Sequence, residues 1–466
     1  EGGLLFVEKG IDLQINPTAE NKPSIYLRNE AQLLQGISNS SNSGNGLLSV
    51  FQEGFASAYT YNYWGLPVQK TTGSETLLFQ PLDKMNSGRV QFTSQLNGST
   101  NPLTVSEKWL YKYSGTGYTD WTFLGKELDL LPGEGFTMKG VEGKDYETVL
   151  YGVPNNPGNH QRYDFRGKPG TGNILLPIEE GKTKLIANPY PSAIDLNLFL
   201  EENTATTGIA YFWDSVLIDS HYLEDYQGGY GAYSPAGGNN GYVPAVFHDF
   251  DSQGNFTSET GQSGDYYARR FTPVAQGFMV YGNQNGNIVF KNQYRVFRKE
   301  NPAISEFKKA DALEQPHFRM NISFGKKYIR QLLLILSPEA TVEVDHAKDA
   351  ENLSVLETDA GWLLQDESFL INVLPFDQGL EIPLYLSLVE PMEVVFHRVN
   401  PSLQVPVFYL YDSEEKIYHD ITENDFIIHL PAGNYNNRFL ITFKNGKIFP
   451  VPESPIIPPQ LKIIHN

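Results

Sequence analysis

The chain has 466 residues, with 35 Lys+Arg against 54 Asp+Glu for a net charge of −19. A pI of 4.9 supplies no basic surface overall to neutralise phosphates, which argues against a nucleic-acid binder. Hydrophobic residues make up 40%, enough for packed cores, and no run approaches the ~20 apolar residues of a membrane-spanning helix. The absence of cysteine removes disulfides, thiolate metal sites, thiol nucleophiles and iron–sulfur clusters. At about 150 residues per domain, the length accommodates about two to four domains.

The opening Glu1-Gly-Gly-Leu-Leu-Phe6 has no Met, basic n-region or apolar h-region, so a mature product or an excerpt of a longer chain is expected. Short alternating apolar runs broken by Gly, Asn, Pro and Ser then dominate, the pattern of an all-β protein. Residues 1–53 hold strand-length pieces that suit either solenoid coils or an edge hairpin. Residues 54–298, rich in Tyr, Gly and Asn, are expected to form a central β domain. Residues 299–316 are charged and helix-permissive and serve as a linker, and 317–446 predict a C-terminal β-sandwich. The stretch 447–466, with five prolines between Phe449 and Pro459, predicts an extended spacer.

One helix is expected, capped by Ser192 with Asp195 answering three residues later, and ending near Asn203. An internal echo links 131–140 (LPGEGFTMKG) with 273–282 (PVAQGFMVYG), each followed by another turn and strand.

The segment Leu185-Ile-Ala-Asn-Pro-Tyr-Pro-Ser192-Ala-Ile-Asp195 resembles the "GNPYPS-x-I-D" signature of large secreted proteins of Bacteroidota. Tyr63-Trp64-Gly-Leu-Pro67, Leu131-Pro-Gly-Glu-Gly-Phe136, Tyr211-Phe-Trp213, Gln276-Gly-Phe278, Val405 to Asp412 and Ala432 to Phe439 follow the same group in order. The resemblance implies export through the type IX secretion system and an extracellular or cell-surface location. It also implies a solenoid before these modules and a sorting domain beyond 446. No enzymatic activity is implied.

Catalytic signatures are missing: there is no HExxH, nucleophile elbow or phosphate loop. Two carboxylates brought together by the fold would suffice for a glycosidase and leave no spacing signal. Aromatic residues are the stronger feature. Tyr211, Trp213, Tyr226, Tyr230 and Tyr233 lie before and within a segment, 228–241, that holds six glycines. Such rings either stack on sugar faces from an exposed loop or bury against a sheet as hydrophobic cover. Asp249, Asp251 and Gln253 sit at alternate positions before Gly254, like the start of a calcium loop, but the twelfth position is Thr260 and no helix pattern flanks it, so a plain polar turn is the better reading and weak calcium binding the alternative. Ser215, in Asp214-Ser-Val216, matches the short O-glycosylation acceptor of Bacteroidota. The expected function is a non-catalytic structural or adhesive protein of the cell surface. Its partner is a surface polysaccharide or other copies of itself, with fibre formation as a variant. A carbohydrate-binding module and a glycan-degrading enzyme are the alternatives.

Overall fold

The computed structural model describes residues 2–15, 22–37, 41–55, 57–70, 77–79, 88–100, 102–141, 149–150, 153–154, 160–299, 315–325, 327–399, 407–422 and 424–444. The chain is all-β, as its alternating pattern predicts, with one seven-residue α-helix among the described residues. The expected spacer at 447–466 and all of the linker but 299 and 315–316 lie outside the described residues.

The N-terminal pieces stack in parallel. Leu4–Val7 lies on Gln32–Gln35, Asp12 bridges Ser43, and Ile25–Leu27 lies on Leu48–Phe55. Successive solenoid coils pair this way and a hairpin cannot, so the solenoid alternative is the one realised. Inside the coils Leu13, Leu27, Leu33 and Leu48 are buried, and Gln35 and Asn42 exchange reciprocal side-chain hydrogen bonds of 2.8 and 3.1 Å. Leu48–Phe55 then runs antiparallel to His160–Pro169 from Leu48 opposite Gly167 to Phe55 opposite His160. Residues 53 and 54 therefore belong to one strand, and coil residues share a core with Trp64, Phe136 and Phe165.

An eleven-stranded sheet occupies the centre, in the order Phe256–Ser263, Val246–Phe250, Gln227–Tyr233, Thr206–Ser215, Gly277–Gly282, Thr183–Ala187, Tyr111–Gly115, Phe136–Lys139 and Tyr61–Trp64. Trp121–Phe123 pairs with Tyr111–Gly115, and Tyr242–Val243 with Gln227–Tyr233. Bridges from Trp64 to Gln276 and from Glu134 to Ile186 curl one end toward a closed barrel. Both echo segments become strands of this sheet. Phe136 enters the core of the coils, whereas Phe278 enters that of the helix, and their following strands pair with different partners.

The helix Leu196–Glu202 packs Leu196, Phe199 and Leu200 beneath the sheet. Its cap differs from the expected one: Asp195, not Ser192, accepts from the Asn197 amide at 3.1 Å. Ser192 is taken instead by Arg295, whose Nε donates to its hydroxyl at 3.2 Å. The Asn188–Ser192 corner is wholly buried. Asn188 donates to the Ser192 and Pro273 carbonyls and accepts from the Tyr190 amide, while the Tyr190 hydroxyl donates to Gly172 at 2.6 Å. The Leu33 amide reaches the Pro191 carbonyl at 2.9 Å, so this corner clamps the solenoid to the central sheet.

A twelve-stranded ladder forms the C-terminal sandwich, running from Ile417–Asp420 through Tyr409–Asp412, Phe439–Thr442, Glu381–Leu388, Asp359–Leu364, Glu367–Leu374, Tyr328–Leu336 and His317–Phe324 to Met392–Val399 and Phe426–Leu430. The ladder folds on itself, so Phe396 near one end meets Phe439 near the other at 5.3 Å, and Phe318 stacks on Phe408 at 4.2 Å. Arg330 and Asp359 form a buried bidentate pair at 2.7 and 2.8 Å inside it. The sandwich core is continuous with one face of the central sheet through Leu185, Ile209, Tyr211, Ala232 and Met279.

Candidate functional site

Residues two apart on a strand share a face, and so do directly opposed residues of an antiparallel pair. Register therefore places Tyr61 and Tyr63, Thr137 and Lys139, Tyr111 and Tyr113, and Trp121 and Phe123 on one face. Further along the sheet the same face carries Tyr211, Trp213, Tyr230, His248 and Phe250. The opposite face, with Phe212, Tyr233 and Phe278, is filled by the helix and its neighbours.

The C-terminal sandwich covers only part of this aromatic face. Tyr211 is buried there and its hydroxyl donates to the Glu351 carbonyl at 3.2 Å. Beyond that cover the rings are half-buried and touch in a continuous row. Phe256 meets Phe250 at 5.4 Å, Phe250 meets Trp213 at 6.0 Å, and Trp213 meets Tyr230 at 5.3 Å. Tyr230 and Tyr63 share a 2.6 Å hydroxyl hydrogen bond, Tyr63 meets Trp121 at 6.2 Å, and Trp121 meets Tyr113 at 4.8 Å. The Phe256 end of the row is open, at 43% exposure, and the Tyr113 end is half-buried. Gly228 makes room for it, since a Cβ there would lie 2.5 Å from the Trp213 indole. Burial, then the neighbouring tyrosine, raises the Tyr63 phenol well above its ordinary value, so the pair acts as neutral hydrogen-bonding groups. Burial likewise holds His248 neutral, pushed down to about 3.

A cation lies at one end. Lys139 is buried, with Nζ 3.7 Å from the Trp109 ring centroid and 4.5 Å from that of Tyr61. It donates to the Tyr226 hydroxyl at 2.6 Å, which in turn donates to the Tyr59 carbonyl. It also reaches His221 Nδ1 at 3.1 Å. His221 Nε2 faces Asn97 Oδ1, which can only accept, so the neutral imidazole carries its proton on Nε2 and offers Nδ1 to the lysine. Burial pushes the Lys139 amine down to about 7.

The five aromatics singled out from sequence divide. Trp213 and Tyr230 belong to the half-buried row. Tyr211, Tyr226 and Tyr233 are buried: under the sandwich, beside Lys139, and against the helix, where the Tyr233 hydroxyl bonds Asn197 Oδ1. These three are core residues: Tyr211 lies on the strand Thr206–Ser215, Tyr226 just before Gln227–Tyr233, and Tyr233 ends that strand, which with the 3₁₀ turn Pro235–Asn240 replaces the expected exposed loop. Tyr63, Tyr113, Trp121 and Phe250 were missed; the alternation Tyr59-Thr-Tyr61-Asn-Tyr63, with Tyr111-Lys-Tyr113 and Trp121-Thr-Phe123, was the signal for the first three.

Residues 251–255 form a polar turn. Asp251 Oδ1 accepts from the Gln253 and Asn255 amides and Oδ2 from the Asn255 side chain. Asp249, on the strand, accepts from Gln227 and Ser258 instead. Gln253 contributes its backbone N–H to the turn. Among the described residues no group of three His, Asp or Glu is placed to hold a metal. Ser215 closes the strand Thr206–Ser215 opposite Gly228, half-buried on the aromatic face, with its amide bonded to Asp214 Oδ1 at 2.9 Å.

Fold and face together define an all-β protein that presents a ring-lined sheet surface. The chain belongs to the family described as a domain of unknown function (DUF8693), which matches residues 1–443. No curated protein and no solved structure matches the chain.

Proposed function

We propose that this is a non-catalytic adhesive protein of the cell surface or extracellular space, which holds a polysaccharide on the half-buried aromatic row of its central sheet. The observation that carries the reading is the row itself, from Phe256 through Trp213, Tyr230 and Tyr63 to Trp121 and Tyr113. Pyranose rings have apolar C–H faces, and tyrosine and tryptophan offer flat surface and a hydroxyl or N–H at low conformational cost. A rigid β scaffold keeps such rings in place before the ligand arrives, which lowers the entropy cost of binding. The Bacteroidota-like motif set supports location at the surface.

Binding of soluble polysaccharides to the intact protein tests this. Trp213→Ala combined with Tyr230→Ala is expected to weaken binding at least about tenfold, the scale of losing stacked aromatic anchors. A melting temperature measured beside it separates lost contact from lost folding. Unchanged affinity in a folded variant would contradict the proposal.

A further inference from the structure

We infer that Trp109, Lys139 and Asn97 form a subsite for an acidic sugar residue, a uronic acid unit of the bound polysaccharide, and that His221 fills this subsite when the ligand is absent. The inference rests on the polysaccharide reading above and specifies its chemistry.

His221 behaves as a built-in ligand. Its ring lies nearly flat on the Trp109 indole, at 4.9 Å and 10°. One ring nitrogen accepts from Lys139 at 3.1 Å, and the other donates to Asn97 Oδ1. A uronate would repeat the stacking on Trp109 and both hydrogen bonds: its sugar face on the indole, its carboxylate on the amine, a hydroxyl on the amide oxygen. The indole is held ready, because its Nε1 donates to the Leu96 carbonyl at 2.7 Å and Tyr61 packs edge-on against it.

The lysine lacks a matching charge. Its hydrogen-bond partners, Tyr226 and His221, are neutral, and among the described residues no carboxylate forms an ion pair with it, in a chain with 54 acids. An ammonium buried without a counter-ion is penalised, and an incoming carboxylate relieves that penalty. The plug lies on a connection, not on the sheet: His221 sits between two sheet strands in a segment whose regular structure is the 3₁₀ turn Leu223–Asp225, next to Tyr222 at 71% exposure, and its ring also meets Tyr59 at 4.6 Å. Because burial has lowered the Lys139 amine to about 7, a bound carboxylate would raise it again, and binding at pH 8 would draw in a proton.

Calorimetric titration of the full chain at pH 8 with tetragalacturonate and with cellotetraose tests this. His221→Ala is expected to raise affinity for tetragalacturonate about tenfold and to leave cellotetraose unchanged. Lys139→Met should cancel that gain, and Lys139→Arg, which keeps the charge, should retain part of it even where Met disturbs packing. Repeating the titration in buffers of different ionisation enthalpy should show proton uptake for the uronate alone. Cellotetraose bound normally with tetragalacturonate ignored, or both ligands responding alike to His221→Ala, would overturn the subsite and leave the aromatic-row reading standing. Failure of the wild-type protein to bind either ligand would overturn both.

Discussion

At the scale of single residues, the same side-chain type plays opposite parts. Tyr230 lies half-open on the aromatic face, whereas Tyr233, three positions on and therefore on the other face, is sealed beneath the helix. Composition marked both, and only strand register separates them. Lys139 was not legible at all, because its character comes from Trp109, Tyr61 and Tyr226, which are distant in sequence. Its lowered amine carries a pH signature. Between pH 7 and 10.5 the unfolded chain keeps a proton on this lysine that the folded protein releases, so its contribution to stability improves as pH rises through that window. The difference in melting temperature between wild type and Lys139→Met should therefore shift in favour of wild type from pH 7 to 10. A difference independent of pH would show that the amine is ordinary.

At the scale of elements, strands were the most readable feature, because one-sided burial imposes period two, as in Arg319-Met-Asn-Ile-Ser-Phe324 of the sandwich. Pairing was not readable: parallel coils and a hairpin demand the same strand-length apolar pieces, and the choice depends on contacts such as Leu33 with Pro191. The helix was placed correctly but its cap was not, since Ser192 and Asp195 both suit a cap and Arg295 claims the serine. This corner also yields a stability prediction. Asn188→Ala would leave the Tyr190 amide and the Ser192 and Pro273 carbonyls without their side-chain partner in a buried site. The expected cost is about 2–4 kcal/mol in urea unfolding. Asp195→Ala loses a cap and a partly exposed Arg270 contact and should cost less, about 1 kcal/mol. The reverse order would show that the motif is not the clamp described.

At the scale of the whole molecule, the three regions expected from sequence are present as strand-rich regions that share their cores. Leu185, Ile209, Tyr211 and Met279 of the central sheet pack in one cluster with Phe318, Leu334 and Trp362 of the sandwich. Composition shifts along a chain report surface and linker character, and shared burial between distant segments leaves no such trace. Residues 1–298 expressed alone should consequently expose this apolar face, bind a hydrophobic dye and aggregate. A soluble, dye-silent fragment would mean that the sandwich is an independent domain. The partial cover is also what creates the candidate site, for Tyr63, Tyr113, Trp121 and Tyr230 pack against the edge of this shared core and, with Trp213, stay only half-buried. Hydroxyl-radical footprinting of the intact protein, with and without saturating polysaccharide, tests that claim most directly. Tyr63, Trp121, Trp213 and Tyr230 should be protected, with Tyr266 and Ile427 (46% and 59% exposed) unprotected. Protection confined to other surfaces, or a polysaccharide that binds without shielding this row, would contradict it.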